Sequence, residues 1–103
     1  MLDVELIKFV KITIERRDPR GSDMSVKFGI SEHTREKFMK GLFDFLELAQ
    51  SLEAIITVDE VLDAETHQPS ELQITLKGDQ QRLGHELQVR SSGVLADASV
   101  WVV

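Results

Sequence analysis

The apolar residues of this chain change period once and then change back. Met24, Val26, Phe28 and Ile30 alternate with Ser25, Lys27 and Gly29, which is the mark of a half-buried strand. From Phe38 onward the spacing turns helical. At about 100° per residue, Phe38, Leu42, Phe45, Leu46, Ala49 and Leu52 share one face, and Glu36, Lys40, Asp44, Glu47 and Ser51 oppose them. Strand character then returns in Ala54-Ile55-Ile56-Thr57-Val58, with Val61 and Leu62 extending it, and in Leu72, Ile74 and Leu76. One helical stretch between two runs of strands argues for an α+β layer, an antiparallel sheet with a single amphipathic helix on one face, rather than alternating α/β units.

The remaining segments fill in the expected order ββ-α-ββββ, with five to six strands. Leu2, Val4, Leu6, Val10, Ile12 and Ile14 predict a long first strand, bulged near Lys8, and the polar run Arg16 to Asp23 joins it to the second in a hairpin. Ser31 or Thr34 caps a helix expected from Glu32 to Leu52, and Gly41 on its apolar side permits close approach to the sheet. Met39, Phe43 and Leu48 widen the apolar arc. Either the sheet curls around the helix, or Phe43 belongs to a partner-facing patch. Residues 63 to 70 read as a loop, Gly78-Asp79 as a turn, Leu87 and Val89 as a strand, and Val94, Ala96, Ala98, Val100 and Val102 as a last strand.

With 103 residues there is material for one core, so residues 1 to 103 are read as a single domain. No apolar run approaches the roughly 20 residues that span a bilayer, so no membrane association is expected. Met1-Leu2-Asp3-Val4-Glu5 has acids where an export signal carries basic residues, which makes the cytoplasm the expected compartment. The chain has no Cys, which excludes disulfides, thiolate metal ligands and Cys nucleophiles.

Charge is distributed unevenly. Between Gly41 and Leu76 stand Asp44, Glu47, Glu53, Asp59, Glu60, Asp63, Glu65 and Glu71 without a single Lys or Arg, whereas the rest of the chain is nearly balanced. The acids include positions late in the helix, where cations would suit the macrodipole. A contiguous field of one sign attracts partners of the other sign, so a basic protein surface is the expected target and nucleic acid is not.

Motifs for chemistry are sparse. His33, His67 and His85 lack the spacing of a zinc site, and Asp63, Glu65 and His67 form only a D-x-E-x-H loop run, so no metal and no cofactor are expected. No serine lies in a Gly-x-Ser-x-Gly elbow, and no phosphate-binding glycine loop is present. Arg16, Arg17 and Arg20 are too few to make a nucleic-acid surface.

Leu72-x-Ile74-x-Leu76-Lys77-Gly78-Asp79, followed by Gly84-His85-x-Leu87-x-Val89, resembles the WapI-type immunity proteins and similar small bacterial domains found beside polymorphic toxins. The resemblance spans most of residues 10 to 90. It implies a non-enzymatic cytoplasmic protein that binds and occludes a cognate toxin, and it brings no catalytic residues. The expectation is thus an interaction module presenting Asp44, Glu47, Glu53, Asp59, Glu60, Asp63 and Glu65 to a basic surface, with Phe43 as an apolar anchor. Two alternatives stand beside it. One is an assembly subunit that homodimerises through the terminal strand from Val94 to Val103, and the other is a small enzyme using Asp63, Glu65 and His67.

Overall fold

Alternation at both ends of the sequence resolves into one mixed sheet. The computed structural model describes residues 4–17, 23–32, 35–92 and 99–102. A short 3₁₀ turn, Val4–Leu6, precedes β1 (Phe9–Arg16), which forms the expected hairpin with β2 (Met24–Gly29). After α1 (Arg35–Ser51) come β3 (Ile55–Leu62), β4 (Pro69–Gly78), α2 (Gln80–Ser92) and β5 (Ser99–Val102). The strand order is β3-β4-β1-β2-β5. The class is α+β, as the sequence implies, but the sheet is not purely antiparallel and the helices number two among the described residues.

The mixed character comes from the α1 crossover. It carries the chain from β2 past β1 to the outer edge, where β3 turns back into β4, and β4 then lies parallel to β1. Val10, Ile12 and Ile14 stand opposite Leu72, Ile74 and Leu76, and all six are buried. Val26 and Phe28 extend this apolar face, and Phe38, Leu42, Phe45 and Ala49 of α1 cover it together with Leu83 and Leu87 of α2. The Phe38 ring meets Phe28 edge-on, with centroids 5.5 Å apart. The other sheet face carries Lys11, Thr13, Lys27, Gln73 and Thr75, so strand alternation separates wet from dry cleanly.

The second helix replaces the strand expected at Leu87 and Val89. Leu87 is buried while Val89 is 52% exposed, which a strand would not allow for residues two apart and a helix requires. Three local signals favour the helix. Asp79 caps it by accepting the Gln81 and Arg82 N–H groups at 3.1 and 3.3 Å. Leu83 and Leu87 are one turn apart, and the Gln, Arg, Leu and Glu residues from Gln80 to Gln88 are strong helix formers. Gly84 lies against the Met24 thioether, with room for a methyl group at 3.4 Å from the Met24 terminal carbon.

The first helix starts at Arg35 rather than Glu32, and the candidate cap Thr34 falls outside the described residues, as does His33. Its C-terminus is closed by paired hydrogen bonds: Ala54 N–H donates to the Ala49 carbonyl at 3.1 Å and Glu53 N–H to the Gln50 carbonyl at 3.0 Å. This is a Schellman motif, and it forces Glu53 to φ 63°, where glycine is the favoured residue. The Arg17 guanidinium donates to the Glu53 carbonyl at 3.2 Å, tying the helix end to the end of β1. Of the predicted final strand, Ser99–Val102 forms β5 against β2, and residues 93–98 and Val103 lie outside the described residues.

Two substitutions test these local readings. Glu53→Gly is expected to stabilise the fold by about 1 kcal/mol by relieving the left-handed glutamate. Gly84→Ala is expected to gain up to about 1 kcal/mol from helix propensity, since its methyl group meets only the flexible Met24 end. Chemical denaturation midpoints check both, and a loss of stability at Gly84→Ala would contradict the helical placement.

Candidate functional site

The eight residues proposed as a docking surface divide among four places. Asp44 and Glu47 are exposed on the solvent side of α1, and Phe43, also on α1, is 53% exposed. By contrast Met39 is buried, so the wide apolar arc of the helix is covered at Met39 and left bare at Phe43. Leu48 and Leu52 line a concavity shared with Gln81, Arg82 and His85 of α2. Phe43 stands about 140° around the helix from Leu48, hence on the flank turned away from α2.

Glu53 closes α1 at one end of β3, while Asp63 and Glu65 occupy the loop at the other end. Eight residues of strand put roughly 25 Å between those ends. The acidic window therefore runs the length of the sheet instead of rimming one end of it. Between the ends, Asp59 and Glu60 project from β3 to opposite faces. Asp59 stands across from Gln73 on the open face, and Glu60 across from buried Leu72 on the helix face.

Two of the acids have structural work. Asp63 accepts the Glu65 and Thr66 N–H groups on one carboxylate oxygen at 2.8 and 3.0 Å, and its own N–H donates to the Gln68 carbonyl. This self-bonded turn sets His67 at φ 57°. The backbone bonds from Thr66 and then Glu65 hold the Asp63 carboxyl below its ordinary value. Glu71, on the open face, accepts Lys27 Nζ at 2.9 Å and the Gln73 amide at 3.2 Å. Burial pushes its carboxyl up, but the Lys27 and Gln73 bonds and the charges of Lys27 and Lys11 outweigh that and hold it below the ordinary value. The same Lys27 ammonium lies 4.5 Å from the centre of the Phe9 ring.

Asp59 and Glu60 differ from these. Among the described residues neither has a cationic partner within ion-pair distance. They sit on an edge strand, because β3 pairs with β4 on one side and, among the described residues, with nothing on the other. Three of its apolar side chains are bare: Ile55, Val58 and Leu62 are 66%, 50% and 55% exposed. Sequence reading missed these three as site residues. Their β-branched run looks like a core strand, and only the strand order shows that it lies outermost.

Other concavities lie elsewhere. A groove of about 570 Å³ runs along the first turns of α1, floored by Met39 and Phe43 and walled by Glu5, Arg35, Glu36 and Asp44. A shallower one of about 340 Å³ lies between Arg16, Arg17 and the start of α2. Asp63, Glu65 and His67 line neither, and among the described residues no group of His, Asp and Glu is arranged to hold a metal ion. Among the described residues no helix is long and apolar enough to cross a membrane. No protein-family model matches the chain, and comparisons with curated proteins and with solved structures find no significant match.

The lowered carboxyls of Asp63 and Glu71 give stability a definite pH dependence. A carboxyl lowered by folding stabilises above its unfolded pKa, and that contribution is lost as pH falls through the folded value. Glu71→Gln is expected to cost about 1 kcal/mol near pH 7 and little near pH 2, so the variant loses less stability on acidification than the parent. Denaturant titrations of both proteins at the two pH values measure this, and equal acid losses would refute it.

Proposed function

We propose that this protein is a non-enzymatic interaction module that binds a protein with a basic surface along β3 and the adjoining exposed side of α1. One observation carries the reading. Among the described residues no cation is paired with Asp59 or Glu60, which stand beside exposed apolar side chains of an edge strand, whereas Glu71 is matched by Lys27. Partly exposed charges steer encounter, and apolar anchors slow dissociation once contact is made. Ile55, Val58 and Phe43 are the anchors in this reading, and the mechanism is occlusion of the partner's surface. Its narrower form, drawn from the resemblance to toxin-immunity proteins, is a cytoplasmic immunity protein whose partner is a toxin. Asp63 contributes less than its charge implies, because its carboxylate is already bonded to the N–H groups of Glu65 and Thr66.

A second reading, self-association through the C-terminal strand, is favoured by the position of β5 at the opposite edge of the same sheet. Sedimentation of the whole chain tests it, and a monomer at high concentration counts against it.

The charge-reversed pair Asp59→Lys and Glu60→Lys tests the first reading without disturbing the Asp63 turn. A purified partner, identified by capture on the immobilised protein or encoded beside it, is expected to bind the parent in a salt-sensitive manner and the variant about tenfold or more weakly. Unchanged affinity and unchanged salt dependence would eliminate the acidic edge as the docking surface. For the immunity form, co-expression with the neighbouring gene product is expected to restore growth, and the reversed pair to restore it less.

A further inference from the structure

We infer that the basic partner is bound by strand addition: an extended segment carrying adjacent cationic residues between apolar ones pairs along the free edge of β3 and continues the sheet. This rests on the docking reading above and specifies its geometry. Every second residue from Ile55 to Leu62 turns its N–H and C=O away from β4, leaving a row of donors and acceptors with no strand beside it among the described residues. The edge contains no Pro or Gly, and its only register shift lies at the far end, between Val61 and Leu62. The stretch from Ile55 to Glu60 is therefore regular enough to template a neighbour, the arrangement that edge-binding peptides exploit.

Side chains define what the neighbour must be. On the open face, an added strand would lie beside Ile55, Thr57 and Asp59, and on the helix face beside Ile56, Val58 and Glu60. Asp59 and Glu60 are consecutive and point to opposite faces, so two consecutive Lys or Arg residues of an added strand meet one carboxylate each. Residues on either side of that pair meet Val58 and then Thr57 on one flank and Val61 and then Leu62 on the other. Opposite charges directly across a strand pair are favourable, and like charges are not.

That rule also disfavours a second copy of this chain. Central antiparallel registers of β3 with itself set Asp59 opposite or diagonal to the same residue of the other copy, within chains that each carry a net charge of −6. The acids thus deter self-pairing and select a cationic strand in one arrangement.

The test uses the whole protein and an end-blocked peptide of about eight residues, with a central Lys-Arg pair flanked by Val and Thr. Two further peptides have the same side chains, one with alternate backbone nitrogens methylated along one edge and the other with them methylated along the opposite edge. The unmethylated peptide is expected to bind, to protect β3 amides from hydrogen exchange, and to lose affinity about tenfold or more with the Asp59→Lys, Glu60→Lys protein. The methylated peptides, one for each edge, are compared so that one of them blocks pairing, and that one is expected to lose binding. Equal binding of both methylated peptides and the parent, with the reversed protein still weakened, would overturn strand addition while leaving a charge-guided docking surface intact. Peptide binding indifferent to the reversed charges would overturn the docking reading as well. No peptide binding up to about 1 mM, or β3 protection that grows with protein concentration alone, would overturn the proposal, the latter in favour of a second copy.

Discussion

The parallel pairing of β1 with β4 is the contact on which the rest of the architecture depends. Val10, Ile12 and Ile14 meet Leu72, Ile74 and Leu76 in register at the middle of the sheet, and both helices pack over that seam. Adjacent parallel strands cannot be joined by a tight turn, so the chain must cross a face of the sheet between them. It does so with α1, and β3, the strand that follows the crossover, pairs with β4 and with no other described strand, so it forms an edge. The exposure of Ile55 and Val58 is therefore a consequence of connectivity rather than of weak hydrophobicity.

An edge strand of this length is normally shortened, kinked or covered, because bare backbone groups invite pairing with another chain. β3 carries charge instead, and carries it in one place. Asp59 and Glu60 reach opposite faces, so a strand approaching the edge meets a carboxylate on whichever side its residues project. Glu71, one strand inward, shows how the protein treats an acid that serves the fold: it is bonded to Lys27 and Gln73, and Lys27 is held in turn over Phe9. Asp63 shows a second treatment, with its carboxylate used up by the backbone of its own turn. Among the described residues neither treatment applies to Asp59 and Glu60. Carboxylates matched inside the fold are thereby separated from those that face solvent.

Local elements were legible in the sequence wherever periodicity and burial agreed. The β1–β2 hairpin, α1 and β4 follow from alternation or helical spacing because each has one face against the core and one in water. α2 was hidden because Leu87 and Val89, two apart, also fit a strand after the Gly78-Asp79 turn, and the Asp79 cap resembles a turn signal until the N–H groups it accepts are seen. The sheet order was not legible at all. Antiparallel pairing was expected from strands grouped in runs, and the second helix breaks the final run in two. The candidate site inherited that gap: the acids were countable from the sequence, but whether they shared a surface depended on which strand lay outermost.

The same connectivity separates the two ends of the acidic window in function. Glu53 is held at positive φ by the Schellman motif, with its carbonyl bonded to Arg17, so its position answers to the α1–β3 junction. Asp63 answers to the β3–β4 turn. Both junctions flank β3, whose register is set by its ladder with β4 from Ile55 to Val61. The Asp63 carboxylate, which sequence reading assigns to contact with a partner, thus serves the turn that leads out of the strand on which Asp59 and Glu60 are displayed. Fixing an edge in advance lowers the ordering cost that any strand added beside it would have to overcome.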